Sequence, residues 1–174
     1  MKKLFLLLTV ATLFFSSCAG PQFFYDYDRQ ADFSKYKSYQ FYSEMDTGLS
    51  DLDTGRVFEA IDSVLATKGF VKNASPDFKI NLYASYTTRP SGSRIGLGIG
   101  GGGGNVGVGV SGGIPVGGPD TYMSLTIEFV EWPSNVLFWQ TVIESRFNPQ
   151  MDPKERSLFF KELIGEALGN YPPE

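Results

Sequence analysis

Apolar side chains recur at every second position in three stretches of this chain, a period that suits strands covered on one face only. Phe78, Ile80, Leu82, Ala84 and Tyr86 alternate with Lys79, Asn81, Tyr83 and Ser85. Met123, Leu125, Ile127 and Phe129 repeat the pattern, and Leu137, Trp139, Ile143 and Phe147 follow it after Trp132-Pro133-Ser134-Asn135, which reads as a hairpin turn. Two aromatic runs, Phe23 to Asp28 and Tyr36 to Tyr42, read as earlier strands. Asp32-Phe33-Ser34-Lys35-Tyr36 lies between them as a turn that re-aims the chain.

The period changes in two places. Val57, Phe58, Ile61, Val64 and Leu65 form one helical stripe, with Asp51, Asp53 and Thr54 as acceptors at its start and Gly69 where a left-handed cap is wanted. Near the C-terminus, Asp152-Pro153-Lys154-Glu155 resembles a capping box with proline at the first helical position. Phe160, Leu163, Ile164, Ala167, Leu168 and Tyr171 then make an apolar stripe that Pro172 and Pro173 end. The order is ββα, a glycine-rich insert within βββ, then α. Half-covered strands and two amphipathic helices bury their apolar faces together. The expected fold is therefore a two-layer α+β sandwich, a mainly antiparallel sheet of about five strands with both helices on one face.

The insert, residues 92–118, holds 14 of the chain's 20 glycines. Ile95-Gly96-Leu97-Gly98-Ile99 and Val106-Gly107-Val108-Gly109-Val110 mirror each other with a period of two, which suits a hairpin at the sheet margin or a low-complexity loop outside the core. Gly98 to Gly103 formally satisfies a dinucleotide-binding pattern, but a glycine run does so by accident, and no helix follows it.

The N-terminus addresses compartment. Lys2 and Lys3 precede an apolar run from Leu4 to Phe15, then Ser16, Ser17 and Cys18. This is the layout of an export signal, and a run that short is about 18 Å long as a helix, too little for a permanent membrane span. Phe15 to Cys18 look like a lipobox, so residues 1–17 are expected to be cleaved and Cys18 to carry diacylglycerol and a further acyl chain. Cys18 is the only cysteine, which removes any internal disulfide. Residues 18–22 form the lipidated tether, and 23–174 a single domain. A four-residue spacer, Ala19 to Gln22, reaches about 14 Å at most, which holds the domain almost against the bilayer.

Without Lys2 and Lys3 the chain carries 13 basic and 19 acidic side chains, and no basic run, so nucleic acid is not expected as a partner. The chain has no histidine. With Cys18 committed, that removes His- or Cys-based nucleophiles and zinc sites. Asp26, Asp28 and Asp32 could in principle gather around a hard cation, but their spacing matches no calcium loop, and no metal or cofactor is expected. Tyr25, Tyr27, Tyr36, Tyr39, Phe41 and Tyr42 crowd two short strands, so part of this aromatic surface is expected to face a partner, a membrane or the insert.

Asp32-Phe33-Ser34-Lys35-Tyr36-Lys37-Ser38-Tyr39, Lys68-Gly69-Phe70, Pro76-Asp77-Phe78 and Tyr171-Pro172-Pro173 resemble the envelope lipoproteins grouped as domain of unknown function 4136, over roughly Tyr25 to Pro173. Phe41 stands where that family commonly has tryptophan. The resemblance implies a membrane-tethered α+β domain and assigns no catalytic residue. The expected function is a non-catalytic binding or scaffolding lipoprotein, and Ala19 after the cysteine directs it to the periplasmic face of the outer membrane. The alternatives are an envelope enzyme acting through carboxylates or tyrosine, and a self-assembling, membrane-active protein that uses the glycine-rich hairpin.

Overall fold

The computed structural model describes residues 20–89, 94–95, 114–115 and 118–173. The signal segment, Cys18, and most of the insert therefore lie outside the described residues. Strands are β1 (Gln22–Tyr27), β2 (Ser38–Phe41), β3 (Val71–Lys72), β4 (Phe78–Arg89), β5 (Arg94–Ile95), β6 (Ile114–Pro115), β7 (Asp120–Glu131) and β8 (Val136–Phe147). The helices are α1 (Asp51–Thr67) and α2 (Pro153–Ala167).

One open six-stranded sheet runs β1-β8-β7-β4-β2-β3, and both helices pack on one face of it. The α+β sandwich is as expected, with two differences. The sheet is mixed, because β2 pairs in parallel with both β4 and β3, while β1–β8, β8–β7 and β7–β4 are antiparallel. β3 is an additional strand of two exposed residues, too short to show any period. The two aromatic strands at the start of the domain are also not neighbours, since β8, β7 and β4 stand between them.

Inward side chains follow the period-two reading. Phe78, Ile80 and Leu82 of β4, with Met123, Leu125, Ile127 and Phe129 of β7, are buried against Val57, Ile61 and Leu65 of α1 and Phe160, Leu163, Ile164 and Ala167 of α2. The last strand departs from its expected alternation. Phe129 pairs with Trp139 but Val130 with Leu137, so Phe138 is an extra residue in a β-bulge. Phe138 and Trp139 consequently both turn to the core, and Leu137 is exposed.

The bulge gives the early motif something to pack on. The Phe138 ring stacks on Tyr36 with centroids 4.1 Å apart and meets Phe33 edge-on at 5.8 Å. Asp32 caps the 3₁₀ turn Phe33–Lys35 by accepting from Ser34 N–H at 3.0 Å. Asp77 then fixes the start of β2, accepting from the backbone N–H groups of Lys37 and Ser38 and from the Ser38 hydroxyl. Partial burial pushes the Asp77 carboxyl up, but these three donors outweigh it and hold the group below its ordinary value.

The helix ends agree with their sequence signals. Asp152 and Glu155 form the reciprocal capping box, and Gly69 takes the left-handed conformation at φ +85°. Ser50 is the side chain that caps α1, with Asp53 N–H donating to its hydroxyl oxygen at 3.2 Å. Asp53 does something else. Its carboxylate is buried between Arg56 at 2.7 Å and Arg156 at 3.1 Å, joining the start of α1 to the start of α2.

β4 and β7 pair without interruption from Phe78–Glu131 to Arg89–Asp120, and β5 and β6, which lie between them in sequence, pair antiparallel in a separate two-stranded sheet. Among the described residues the core is built from residues outside the insert. Replacing residues 92–118 by a four-residue turn is predicted to leave the fold intact, and to stabilise it by about 1.7 kcal/mol on the logarithmic loop law, an upper figure because short loops are stiff. Thermal unfolding of the shortened domain checks this. Loss of cooperative unfolding would show that insert side chains belong to the core.

Candidate functional site

Since β1 is an edge strand, half of its backbone faces no neighbour in the sheet. Asp28 N–H donates to Phe138 C=O, and with the register Gln22–Glu144 to Tyr27–Trp139 this turns the peptide groups of Gln22, Phe24 and Asp26 toward β8. The N–H and C=O groups of Phe23, Tyr25 and Tyr27 point away from the sheet, and none is paired among the described residues. These are a strand's donors and acceptors at a strand's spacing.

The same alternation places the rings. Tyr25 and Tyr27 project on the helix side, next to Trp139 and the chain that follows α2. There they line an open cleft of about 550 Å³ with Lys68, Tyr171, Pro172 and Pro173. Tyr25 and Trp139 have ring centroids 6.4 Å apart, and Trp139 meets Tyr171 at 5.1 Å. The Tyr25 hydroxyl donates to the Glu166 carbonyl at 3.4 Å, which ties the edge strand to the end of α2. Lys68 donates to the Gly169 carbonyl at 2.8 Å and so brings the end of α1 to the same rim.

Tyr25 and Tyr27 are 41% and 39% exposed, although Trp139 and Tyr171 beneath them are buried. The cleft is an aromatic floor with a partly wet upper wall. Burial, and then the nearby Glu166 charge, push the Tyr25 phenol above its ordinary value, and burial does the same more strongly at Tyr171. Both stay protonated at neutral pH; Tyr25 donates to the Glu166 carbonyl, whereas the buried Tyr171 hydroxyl has no partner among the described residues. Among the described residues no carboxylate side chain lines this cleft. Its chemistry is apolar contact, hydrogen bonding and one cation.

The other aromatic residues sort differently from one another. Tyr36, Tyr39 and Phe41 are core, and the Tyr39 hydroxyl donates to Asp62 at 2.7 Å. Tyr42 is half-buried, with its hydroxyl 3.3 Å from Asn135 Oδ1 and its ring beside Lys79, which lies 3.4 Å above Trp132. The expectation of an outward aromatic surface therefore comes down to Tyr25 and Tyr27, together with Phe24 on the opposite face. Sequence spacing could not have supplied Trp139, Pro172 and Pro173 as their neighbours, since the strand and the C-terminal segment meet only through the fold.

Asp26, Asp28 and Asp32 are not brought together. Asp28 accepts from Gln30 N–H at 2.8 Å, Asp32 is occupied as the cap of the 3₁₀ turn, and Asp26 lies on the sheet face opposite Tyr25 and Tyr27. Among the described residues no group of three acidic side chains is close enough to share an ion. Also among the described residues, no helix is long and apolar enough to cross a membrane.

Comparison with known proteins gives a family without an activity. The sequence profile of the domain of unknown function DUF4136 matches residues 23–173. A DUF4136 family protein from Bacteroides thetaiotaomicron superposes with a TM-score of 0.54 at 14% identity, over 89% of this chain and 97% of that one. A PDZ domain protein from Parabacteroides distasonis superposes with a TM-score of 0.57, also at 14% identity, over 97% of this chain. The chain spans only 40% of that protein's length. No curated protein matches the sequence. At these identities the likeness is one of fold.

Proposed function

Because the chain belongs to the DUF4136 family, no activity comes with its fold, and we propose that it is a non-catalytic envelope lipoprotein. In this reading it is anchored through acyl chains on Cys18 at the periplasmic face of the outer membrane, and it binds an extended segment of another envelope protein along β1. The observation that carries the binding role is the row of unpaired peptide groups at Phe23, Tyr25 and Tyr27 beside the aromatic cleft. An added strand would satisfy those groups, and every second side chain of it would reach the cleft. The occupant is therefore an extended peptide with apolar or aromatic residues on one face. Asp26 on β1 and Asp28 just beyond its end, both exposed, favour basic residues on the other.

A cleft lined by aromatic rings, prolines and a lysine also favours binding over catalysis, because its described lining holds no pair of groups that could exchange a proton at neutral pH. A photo-crosslinking side chain at Tyr27 in the intact lipoprotein is expected to capture a partner in the native membrane. Proline at Tyr25 removes an outward N–H from an edge strand that tolerates it, and should abolish that adduct, whereas Tyr83→Ser on the opposite face should not. An adduct unaffected by Tyr25→Pro would overturn strand addition.

The anchor has its own test. Cys18→Ser is predicted to abolish fatty-acid labelling and leave an uncleaved or released precursor, since only a thiol accepts the diacylglyceryl group. Three chains make release negligible where one would bind marginally. Labelling that persists in Cys18→Ser would refute the anchor.

A further inference from the structure

We infer that the tip of the β4–β7 ribbon is a bilayer-contacting surface, so that the domain stands with this end of the sheet on the lipid and its aromatic cleft facing away. The inference deepens the lipoprotein reading and rests on it. Gln22, Glu144, Ser124 and Ser85 lie in one row across the sheet. From that row β4 continues four residues to Arg89, with β7 beside it to Asp120, a projection of about 14 Å at strand rise. The chain running back from Gln22 to Cys18 also has four steps, about 14 Å when fully extended. Gln22 is already paired, so the expected four-residue spacer is in fact three residues, Ala19 to Pro21.

The direction of that chain is visible as well as its length. Gly20 and Gln22 lie in one shallow depression with Arg89, Tyr122 and Arg146, so the tether leaves along the ribbon rather than away from it. Cys18 is only two residues further, about 7 Å at most. The lipid-bearing sulfur can therefore stand at most about 3 Å beyond the level of Arg89, and acyl chains buried in a bilayer bring the ribbon tip to its surface.

The side chains at this end suit an interface. Tyr86 is exposed, and the Arg89 guanidinium lies 4.8 Å over the ring of Tyr122. Arg146 is offset by its ion pair with Asp120, so the surface is not a polybasic patch and its attachment comes from the tether. Beyond the ribbon the sequence carries no charged residue from Ile95 to Pro119. The opposite end of the sheet carries Asp28, Asp32, Asp77 and the Lys35–Glu131 ion pair around the Trp132–Asn135 turn, and Glu144 joins the arginines at the ribbon end, so charge is present at both ends and the tether decides which of them meets the lipid.

The test uses the full lipoprotein reconstituted into phosphatidylethanolamine–phosphatidylglycerol vesicles that contain lipids with a nitroxide quencher near the headgroup. A fluorophore is placed on a single added cysteine, either Thr88→Cys at the ribbon tip or Ser134→Cys at the opposite end; Cys18 is blocked by its thioether. Quenching is expected to be at least about five-fold stronger at 88 than at 134. Equal quenching, or stronger quenching at 134, in a protein that carries fatty acid on Cys18 would overturn the orientation while leaving the anchor standing. A protein without fatty acid that fails to float with the vesicles would overturn the anchor, and this inference with it.

Discussion

Ile164→Asp is expected to unfold the domain. Ile164 is fully buried on the stripe that α2 presents to the sheet, with Phe160, Leu163 and Ala167 around it. A carboxylate there must either stay unpaired in an apolar surround or break the packing of α2 to reach water, and both routes cost several kcal/mol. The total stability of a domain this size is about 5–15 kcal/mol. Far-ultraviolet circular dichroism during a thermal ramp should show no cooperative transition, and an unchanged transition would mean that α2 does not hold the core together.

The second large effect is expected at Asp53. Its carboxylate pairs with two guanidinium groups and also accepts from the Ser50 hydroxyl at 3.0 Å, so Asp53→Ala leaves Arg56 and Arg156 facing each other across the α1–α2 contact. Removing one partner of a buried ionic group costs about 3–5 kcal/mol. The lower end, about 3 kcal/mol, applies here because the Arg56 and Arg156 side chains keep 17% and 20% of their exposure and are partly screened by water. Urea unfolding should show a lowered midpoint with an unchanged slope. A shift under about 1 kcal/mol would show that the arginines find water without moving the helices.

Both residues sit on helices, which were the most legible part of the sequence. Helix stripes and caps are local, so Asp152, Pro153 and Gly69 announce their roles within a turn or two. The strand faces were legible for the same reason, until β8. There the bulge at Phe138 depends on the register with β7, which no local period encodes, so the alternation puts Leu137 on the wrong face. Strand order was illegible where it depends on distant partners. Nothing local to the aromatic strand at Phe23 names its neighbour, and it pairs with residues more than a hundred positions away. The candidate site inherits that limit. Tyr25 and Tyr27 were identifiable as surplus aromatic residues, but their cleft exists only because β1 docks on β8 where the chain after α2 returns.

The two margins of the sheet are covered differently. β1 presents six residues of edge along its whole length, whereas the other margin is stepped: β2 and β3 cover β4 only as far as Ile80, the chain after β2 reaches Ala84, whose N–H donates to the Thr47 carbonyl, and β4 then runs on to Arg89 with no strand on that side among the described residues. A strand added at β1 would therefore meet a full-length neighbour, whereas one added at the other margin would find only the projecting half of β4.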